Sequence, residues 1–308
     1  MTLRIVVLTS FLGGYQVAAD WAARHGHEIV LVVSPPVEAG QRYDGNPLVL
    51  GLPASANILI TSKLRTVAAS VIATVAPDLV ISAAFPRLIP AEILDIPKYG
   101  AINCHPSALP IGRGPNPARL IYEGDDQVAV TVHRTAAEFD TGAILAQRTR
   151  PLPDDLNGPA LFKVWQEMLG ECLDFAVPRA VAGEPGLWQN LAEATEAPFF
   201  TSAEMLVNLT EPAHVVRRKV AALNVVAPQA RAEIPGVGLR EVVATYGVPV
   251  SGGKTRAQVL AGWPDERCTH KAGTVLERHA DGWTVQTADR PLRLVCREKA
   301  ERRKAPVR

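Results

Sequence analysis

The sequence has few cysteines and lacks any long apolar run. Its four cysteines, Cys104, Cys172, Cys268 and Cys296, lie far apart and form no C-x-x-C pair. This spacing argues against a disulfide framework and against a structural zinc site. No apolar run reaches the length of about 18 residues that a membrane helix needs, and the chain starts directly with a strand-like segment rather than a leader. We therefore predict reduced thiols, no metal, no membrane association and a cytoplasmic protein.

A large excess of charge of either sign is also missing. The 308 residues include 32 Lys and Arg against 31 Asp and Glu, for a net charge of +1. With 47% hydrophobic and 20% charged residues, the composition is typical of a globular protein of about two domains. Net charge therefore gives no support to a nucleic-acid or membrane partner, although it does not exclude a local basic patch.

Apolar strands and amphipathic helices alternate through the first half of the chain. Mostly apolar runs at residues 3–8, 28–33, 78–83 and 101–105 predict buried strands, and residues 15–25 predict a helix. This order predicts an α/β fold with an open, mostly parallel, Rossmann-like sheet whose site lies beyond the carboxyl ends of the strands. Gly13-Gly14 does not complete a G-x-G-x-x-G motif. It is interpreted either as a close approach of backbone to a substrate or as a tight turn.

The last third of the chain has a different pattern. Residues 183–200 contain glycine and proline and show little periodicity, whereas short strands recur between turns after a helix at 212–224. We predict a catalytic domain at 1–190, a linker at 191–202 and a smaller, β-rich C-terminal domain at 203–308.

A candidate site follows the strand that ends in Asn103-Cys104-His105. Residues two positions apart in a strand point to the same side, so Asn103 and His105 should lie next to each other, and Pro106 should end the strand. An amide and an imidazole can stabilise an oxygen that gains negative charge and can move a proton, which suits acyl transfer. The alternative is a core histidine capped by a neighbouring amide. Asp140-Thr141-Gly142 is likewise compatible with ordinary turn chemistry.

Three motifs in order carry a resemblance to a known family. They are N-C-H-P-S-A-L-P from Asn103, R-G-x-x-P from Arg113 and D-T-G from Asp140. In this order and spacing they resemble the folate-dependent formyltransferase family, whose members include methionyl-tRNA and sugar N-formyltransferases. Ala108 departs from the leucine that is common in the family. The resemblance continues more faintly into the C-terminal domain, which is OB-like in those members.

The resemblance implies a donor and a set of site residues. The donor would be 10-formyltetrahydrofolate, with no metal, and Asn103, His105 and Asp140 would be catalytic. Asn103 would donate to the oxyanion, while Asp140 would raise the pKa of an imidazolium at His105 and relay the proton of the amine. His133 is expected to be a core residue. Folate contacts, largely through backbone groups, are expected at Phe85, Arg87, Leu88, Ile89, Ala137, Glu138 and Phe139. Acceptor contacts are expected at Phe11, Gly13, Gly14, Arg42, Ser107 and Arg113.

The acceptor amine is less well defined. Family members that modify tRNA have a basic loop in place of residues 34–55, where this chain has a single cation, Arg42. A protein that grips a polyanion normally neutralises several phosphates. We therefore prefer a small acceptor such as an amino sugar, an amino acid or a biosynthetic intermediate. Methionyl-tRNA is the alternative, supported by the domain order and by Arg217-Arg218-Lys219. An alternative of another class is a folate-binding protein without turnover. The oligomeric state is not predicted.

Overall fold

The computed structural model describes residues 1–37, 46–247 and 270–297. Arg42, the middle of the 34–55 loop, Cys268 and most of the C-terminal tail lie outside these residues. The described chain packs into two units. The first contains residues 1–117, 128–150 and 164–198, and the second contains 118–127, 151–163 and 199 onwards. No helix among the described residues has both the length and the apolar character needed to span a membrane.

A seven-stranded sheet forms the framework of the candidate site. Its strands are β1 (Arg4–Leu8), β2 (Glu28–Ser34), β3 (Ile58–Ile60), β4 (Leu79–Ala83), β5 (Ala101–His105), β6 (Gln127–Arg134) and β7 (Ile144–Pro151), in the order β3-β2-β1-β4-β5-β6-β7. The first five run parallel, and β6 is antiparallel to β5. Continuous apolar sequence makes β4 buried at every position, as expected for a parallel strand covered on both faces. The predicted Rossmann-like fold class is confirmed.

The helices have the following bounds in the structure: α1 (Leu12–His25), α2 (Pro47–Gly51), α3 (Ala69–Val75), α4 (Ala91–Leu94), α5 (Ala118–Glu123), α6 (Gly158–Val181) and α7 (Ala213–Leu223), with a π-helical turn at Leu64–Ala68 and a 3-10 turn at Leu191–Glu193. The core beneath β1, β2 and β4 includes Ile72 and Ile93, both fully buried. Helix α6 is 24 residues long. Its Phe175 side chain is 50% exposed, and the Arg148 guanidinium lies 4.7 Å from the ring centroid.

The strand order defines where loops diverge. The strand order reverses between β1 and β4, because β2 and β3 lie on one side of β1 while β4 and β5 lie on the other. In open α/β sheets, the carboxyl edge at such a reversal is where ligands bind. Gly14, in the first turn of α1, packs directly against the end of β4. A Cβ at this position would lie 2.5 Å from the Ala83 carbonyl oxygen, so the close approach of helix and strand requires glycine.

The second unit contains an antiparallel sheet. Its strands are β8 (Arg231–Ile234), β9 (Gly238–Gly247), β10 (Val275–His279), β11 (Gly282–Gln286) and β12 (Pro291–Arg297), in the order β10-β11-β12-β9-β8. Its core packs the apolar face of α7, including Val216 and Val220, against the sheet. In the same unit, buried Arg119 of α5 donates to Glu204 at 2.8 Å. A β-rich C-terminal region is therefore confirmed, while the predicted domain boundaries stay a prediction.

Candidate active site

Strand β5 presents the two predicted side chains on one face, and β6 adds two more. Asn103 and His105 alternate with Cys104, and their partners across the antiparallel pair are His133 and Thr131, respectively. Residues directly opposite on neighbouring strands share a face, so all four side chains converge. Cys104 points the other way, where burial raises the pKa of its thiol far above the ordinary value. It is a packing residue rather than a nucleophile.

A reversal after β6 brings Asp140 over this face. Asp140 has a left-handed backbone with φ of 56°, a conformation that Asp tolerates better than most residues. Two residues later, Gly142 packs so closely on the Arg134 carbonyl that any Cβ would overlap it. The turn can therefore lie flat against the end of β6 only with glycine at this position, and this is what carries the carboxylate back toward β5.

The carboxylate of Asp140 joins the predicted residues. Its Oδ1 lies 3.3 Å from Asn103 Nδ2, 3.6 Å from His105 Nδ1 and 3.7 Å from His133 Nε2. Its Oδ2 accepts the Gly114 N–H at 2.9 Å. The structure thus brings Asn103, His105 and Asp140 together, although they are separated by up to 37 positions in the chain. It adds His133, which the sequence assigned to the core.

Hydrogen bonds fix the orientation of these groups. His133 donates from Nδ1 to the Arg134 carbonyl at 2.8 Å, so its Nε2 accepts an Asn103 N–H at 3.1 Å. The second N–H of Asn103 is directed at Asp140. His105 donates from Nε2 to the Gly112 carbonyl at 2.9 Å, which leaves Nδ1 facing Asp140. These tautomers follow from the acceptors that each ring nitrogen meets.

Burial and charge set the protonation states in the site. Burial works against ionisation of Asp140, but the neighbouring His133 and His105 side chains and the Gly114 N–H outweigh it and lower the pKa of the carboxyl to about 2. Burial lowers the pKa of His105 and outweighs the opposing effect of Asp140. Asp140 acts on this pKa in the expected direction, but the expected imidazolium form of His105 is wrong, because the side chain is only 6% exposed and its burial dominates. At neutral pH the site holds a carboxylate beside a neutral imidazole.

The loop that follows β5 is held by its own polar groups. Ser107 is fully buried and donates to the Ile111 carbonyl at 2.7 Å. Thr131 donates to the Ser107 carbonyl at 2.7 Å and accepts the Leu109 N–H at 3.2 Å. The Ser107 hydroxyl, predicted to contact the acceptor, is thus engaged in shaping the loop that carries Gly112 and Gly114.

A segment that the sequence did not single out fastens this loop. We call residues 187–198 the strap. Thr195 of the strap accepts the Gly112 N–H through Oγ1 at 2.9 Å and the Arg113 N–H through its carbonyl at 2.9 Å. Gln189 accepts from Arg113 Nη2 at 3.0 Å. The strap has little periodicity and contains proline, so the sequence around it resembles a linker. No local signal indicates that it contacts Gly112 and Arg113.

The residues expected to bind folate form two further segments. In the first, Phe85 and Ile89 are buried in the core, whereas Arg87 and Leu88 are exposed. Within the described residues, no backbone group of residues 85–89 is hydrogen-bonded to the protein. Two anchored side chains, together with backbone groups that lack a hydrogen bond within the described protein, fit the edge of a pterin, which carries donors and acceptors. The second segment, Ala137, Glu138 and Phe139, is exposed just before Asp140. Across the described chain, neither hydrogen bonds nor ion pairs connect the two segments.

The remaining predicted residues lie at the start of α1 or outside the described chain. Phe11 precedes the helix, and its carbonyl accepts the Tyr15 N–H at 3.3 Å. Gly13 and Gly14 are buried in the first turn, and Gln166 donates to the Gly13 carbonyl at 3.3 Å. Arg42 is outside the described residues. Nowhere in residues 1–37, 46–247 and 270–297 do three or more His, Cys, Asp or Glu side chains form a group that could hold a metal.

Comparison with known sequences identifies related proteins. A family model described as formyl transferase matches residues 3–157. The methionyl-tRNA formyltransferase of Roseiflexus sp. (strain RS-1) is 32% identical over 321 aligned positions, which span 100% of this chain and 91% of the relative. The methionyl-tRNA formyltransferase of Bordetella pertussis is 29% identical over 95% of this chain and 93% of its own length.

Comparison with solved structures shows the same fold. HypX from Aquifex aeolicus, crystallised with tetrahydrofolic acid, matches with a TM-score of 0.66 at 18% identity over 96% of this chain, which spans 44% of HypX. WlaRD, a sugar 3N-formyl transferase, matches with a TM-score of 0.61 at 12% identity over 97% of this chain and 99% of its own. At these identities the likeness concerns the fold.

Proposed function

Since this chain belongs to the formyl transferase family, we propose that it transfers the formyl group of 10-formyltetrahydrofolate to the amino group of methionyl-tRNA. The enzyme class and the formyl donor are those of the family, and the acceptor is our proposal. Two relatives named methionyl-tRNA formyltransferase match over at least nine tenths of both chains, and therefore include the β-rich domain. This reverses the preference for a small acceptor that the sequence alone favoured.

The distribution of charge supports a polyanionic acceptor. Residues 203–308 contain 18 Lys and Arg against 11 Asp and Glu, a net charge of +7, which leaves −6 on residues 1–202 out of a total of +1. The near-neutral total therefore hides two regions of opposite sign. A basic domain attached to an acidic one is the pattern expected when one domain binds nucleic acid by neutralising phosphates and the other carries out chemistry. This asymmetry is the observation that carries the choice of acceptor.

A small amine is the second candidate because of two local features. The 34–55 loop has the single cation Arg42. On α7, Lys219 is engaged with Glu211 at 2.6 Å, so one of the three cations of Arg217-Arg218-Lys219 is neutralised within the protein. Both features reduce the positive charge that these two places offer to a phosphate backbone.

The geometry gives each candidate catalytic residue a role in formyl transfer. A neutral amine that attacks the formyl carbon loses one proton, and the folate nitrogen released must gain one. His105 presents an unprotonated Nδ1 beside the Asp140 carboxylate, so a proton that arrives there is stabilised by the neighbouring negative charge. We assign the uptake of the amine proton to this pair, and its return to the leaving nitrogen follows. The approach of Asn103, His105 and His133 to Asp140 Oδ1 supports an enzyme over the alternative of a folate-binding protein without turnover.

Asn103 is the candidate donor to the formyl oxygen. Both of its N–H groups are directed at protein acceptors, 3.1 Å from His133 and 3.3 Å from Asp140. The longer contact is the weaker one, so this N–H is the one that can be exchanged for an oxygen that gains negative charge. Loss of such a donor typically costs about 3 kcal/mol of transition-state stabilisation.

Release of tetrahydrofolate from 10-formyltetrahydrofolate tests the proposal. The protein is incubated with methionyl-tRNA or, in parallel, with amino sugars and free amino acids, and the rate is measured in a salt series from about 50 to 200 mM. If tRNA is the acceptor, kcat/KM should fall by at least about tenfold across the series, since phosphate contacts are screened. Efficient turnover of a small amine with little salt dependence, and no turnover of methionyl-tRNA, would instead establish the second candidate.

A further inference from the structure

The side chain of Gln189 connects two loops of the candidate active site. Its Nε2 donates one hydrogen bond to the Asp140 carbonyl at 2.8 Å and the other to the Gly142 carbonyl at 2.7 Å. Its Oε1 accepts from Arg113 Nη2 at 3.0 Å. Gln189 belongs to the strap, 49 positions from Asp140 and 76 from Arg113. One amide thus spans the turn after β6 and the loop after β5.

We propose that Gln189 is a positioning residue for formyl transfer, because it fixes the turn that carries Asp140 against the loop that carries Gly114. This inference rests on the proposed function. Neither the Asp140 nor the Gly142 carbonyl has another hydrogen-bond donor within the part of the chain that the structure describes. Without Gln189, the turn would be held by its packing on Arg134 and by the carboxylate itself.

The position of the turn matters because the contacts of Asp140 are short and directional. Its Oδ2 accepts the Gly114 N–H at 2.9 Å while Oδ1 faces Asn103 and His105. Gln189 binds the backbone of Asp140 and the side chain of Arg113, which is the neighbour of Gly114. It therefore restrains the chain on both sides of the Asp140–Gly114 hydrogen bond. A displacement of about 1 Å in such a constellation can reduce turnover by about a hundredfold, even when the residue responsible is remote from the chemistry.

Gln189 uses both groups of its side-chain amide, the N–H groups as donors to two carbonyls and the oxygen as an acceptor from Arg113. A residue without both groups cannot make all three hydrogen bonds. Glutamate has the same shape and retains an acceptor for Arg113, but it lacks the N–H groups that bind the two carbonyls. It also sets a negative charge beside the Asp140 turn. Gln189→Glu therefore separates the donor function of the side chain from its size, and it is the informative variant if Gln189→Ala disturbs folding.

A matched control lies one residue along the strap. Asn190 is exposed, accepts the Ala192 N–H at 3.3 Å and donates to Glu193 at 2.8 Å, so its amide contacts only the strap itself. If the strap needs side-chain amides merely to keep its own conformation, Asn190→Ala should affect activity as much as Gln189→Ala does.

The test measures tetrahydrofolate release by the full-length wild-type protein, by Gln189→Ala, Gln189→Glu and Asn190→Ala, with methionyl-tRNA and with an amino sugar. We expect kcat to fall about 10- to 100-fold for both Gln189 variants, with KM for 10-formyltetrahydrofolate within about threefold. Asn190→Ala should resemble the wild type. Wild-type activity retained by Gln189→Glu, or an equal loss in Asn190→Ala, would overturn the inference.

A double variant shows whether Gln189 acts through Asp140. In an Asp140→Asn background, adding Gln189→Ala should lower kcat by less than about threefold, because the carboxylate that Gln189 positions is already lost. Independent, multiplicative losses would assign Gln189 a merely structural role and overturn the inference. A wild-type protein that releases no tetrahydrofolate with either acceptor would instead remove the proposed function, and the inference with it.

Discussion

Replacement of Asp140 by asparagine is the most direct test of the candidate site. The substitution keeps the shape of the side chain and removes its charge. It also keeps the backbone, because asparagine tolerates the left-handed φ of 56° whereas alanine would be strained there. Any loss of activity can therefore be attributed to the carboxylate rather than to the turn.

The expected change in stability follows from the environment of the Asp140 carboxylate. A pKa of about 2 against an ordinary value of 3.8 corresponds to roughly 2.5 kcal/mol of preference for the ionised form. The side chain is only 9% exposed, so solvent screens this preference little. Since the folded-state pKa is depressed, the stabilisation is present above about pH 4 and is lost as the pH falls toward 2.

The expected result is a large loss of turnover with a modest loss of stability. Removal of the negative charge that stabilises the proton taken up at His105 should lower kcat by about 10²- to 10⁴-fold. KM for 10-formyltetrahydrofolate should change little, because the substitution keeps the backbone of the turn, and the folate contacts predicted at residues 137–139 are made largely through backbone groups. The free energy of unfolding, measured by urea denaturation at pH 7, should fall by at most about 2.5 kcal/mol.

Asp155→Asn is the matched control, since Asp155 is exposed. It should leave both kcat and the free energy of unfolding at their wild-type values. If Asp140→Asn retained kcat within about threefold of the wild type in the same assay, the role of the Asp140 charge in proton uptake would be refuted, and the side chains that converge around it would have a structural role.

Three further predictions concern protonation, backbone packing and the second unit. Because burial keeps the pKa of His105 below its ordinary 6.5, kcat/KM should stay level as the pH falls from 8 to 6.5 and should decline only below pH 6.5. A decline that begins near pH 7.5 would contradict a neutral imidazole at His105. Gly142→Ala should lower the free energy of unfolding by about 1–3 kcal/mol and reduce activity, because its Cβ would overlap the Arg134 carbonyl. Gly26→Ala is the control: a Cβ there meets no atom within 4 Å, so this variant should show only the strain of a left-handed residue. Equal thermal shifts in the two variants would contradict the packing argument. Arg119→Ala should lower the free energy of unfolding by roughly 2–4 kcal/mol in urea denaturation, because it removes a buried guanidinium that donates to Glu204, Glu123 and the Phe199 carbonyl. Exposed Arg65→Ala should lower it by less than about 1 kcal/mol, and similar values for both variants would count against this explanation.

The sequence alone was sufficient for the framework. Continuous apolar runs of five or six residues report buried strands, because a strand covered on both faces has no polar side. The alternation of such runs with helices fixed the parallel sheet, and the Asn103-Cys104-His105 spacing placed an amide and an imidazole on one face. These features are local: they depend on periods of two or 3.6 residues, which can be read without knowing what the chain meets later.

The proposed acceptor depends on how charge is distributed along the chain rather than on its sum. The total charge of +1 argued against a polyanion, yet the same residues divide into regions of +7 and −6. An electrostatic field acts over a distance of about 10 Å at ordinary salt, so the charge of a domain matters more than the charge of the chain. The division into a basic and an acidic region can be read from the sequence, but the net charge of the whole chain conceals it.

What only the tertiary structure decided is how distant groups act on one another. The protonation of His105 depends on its burial in the folded chain, which no local pattern reveals, and the imidazolium form expected from the sequence is therefore wrong. The role of Gln189 depends on partners 49 and 76 positions away, and nothing in its own neighbourhood distinguishes it from a linker residue. Local patterns specify strands and helices, whereas the closure of loops over a site is a property of long-range packing, which no short segment encodes by itself.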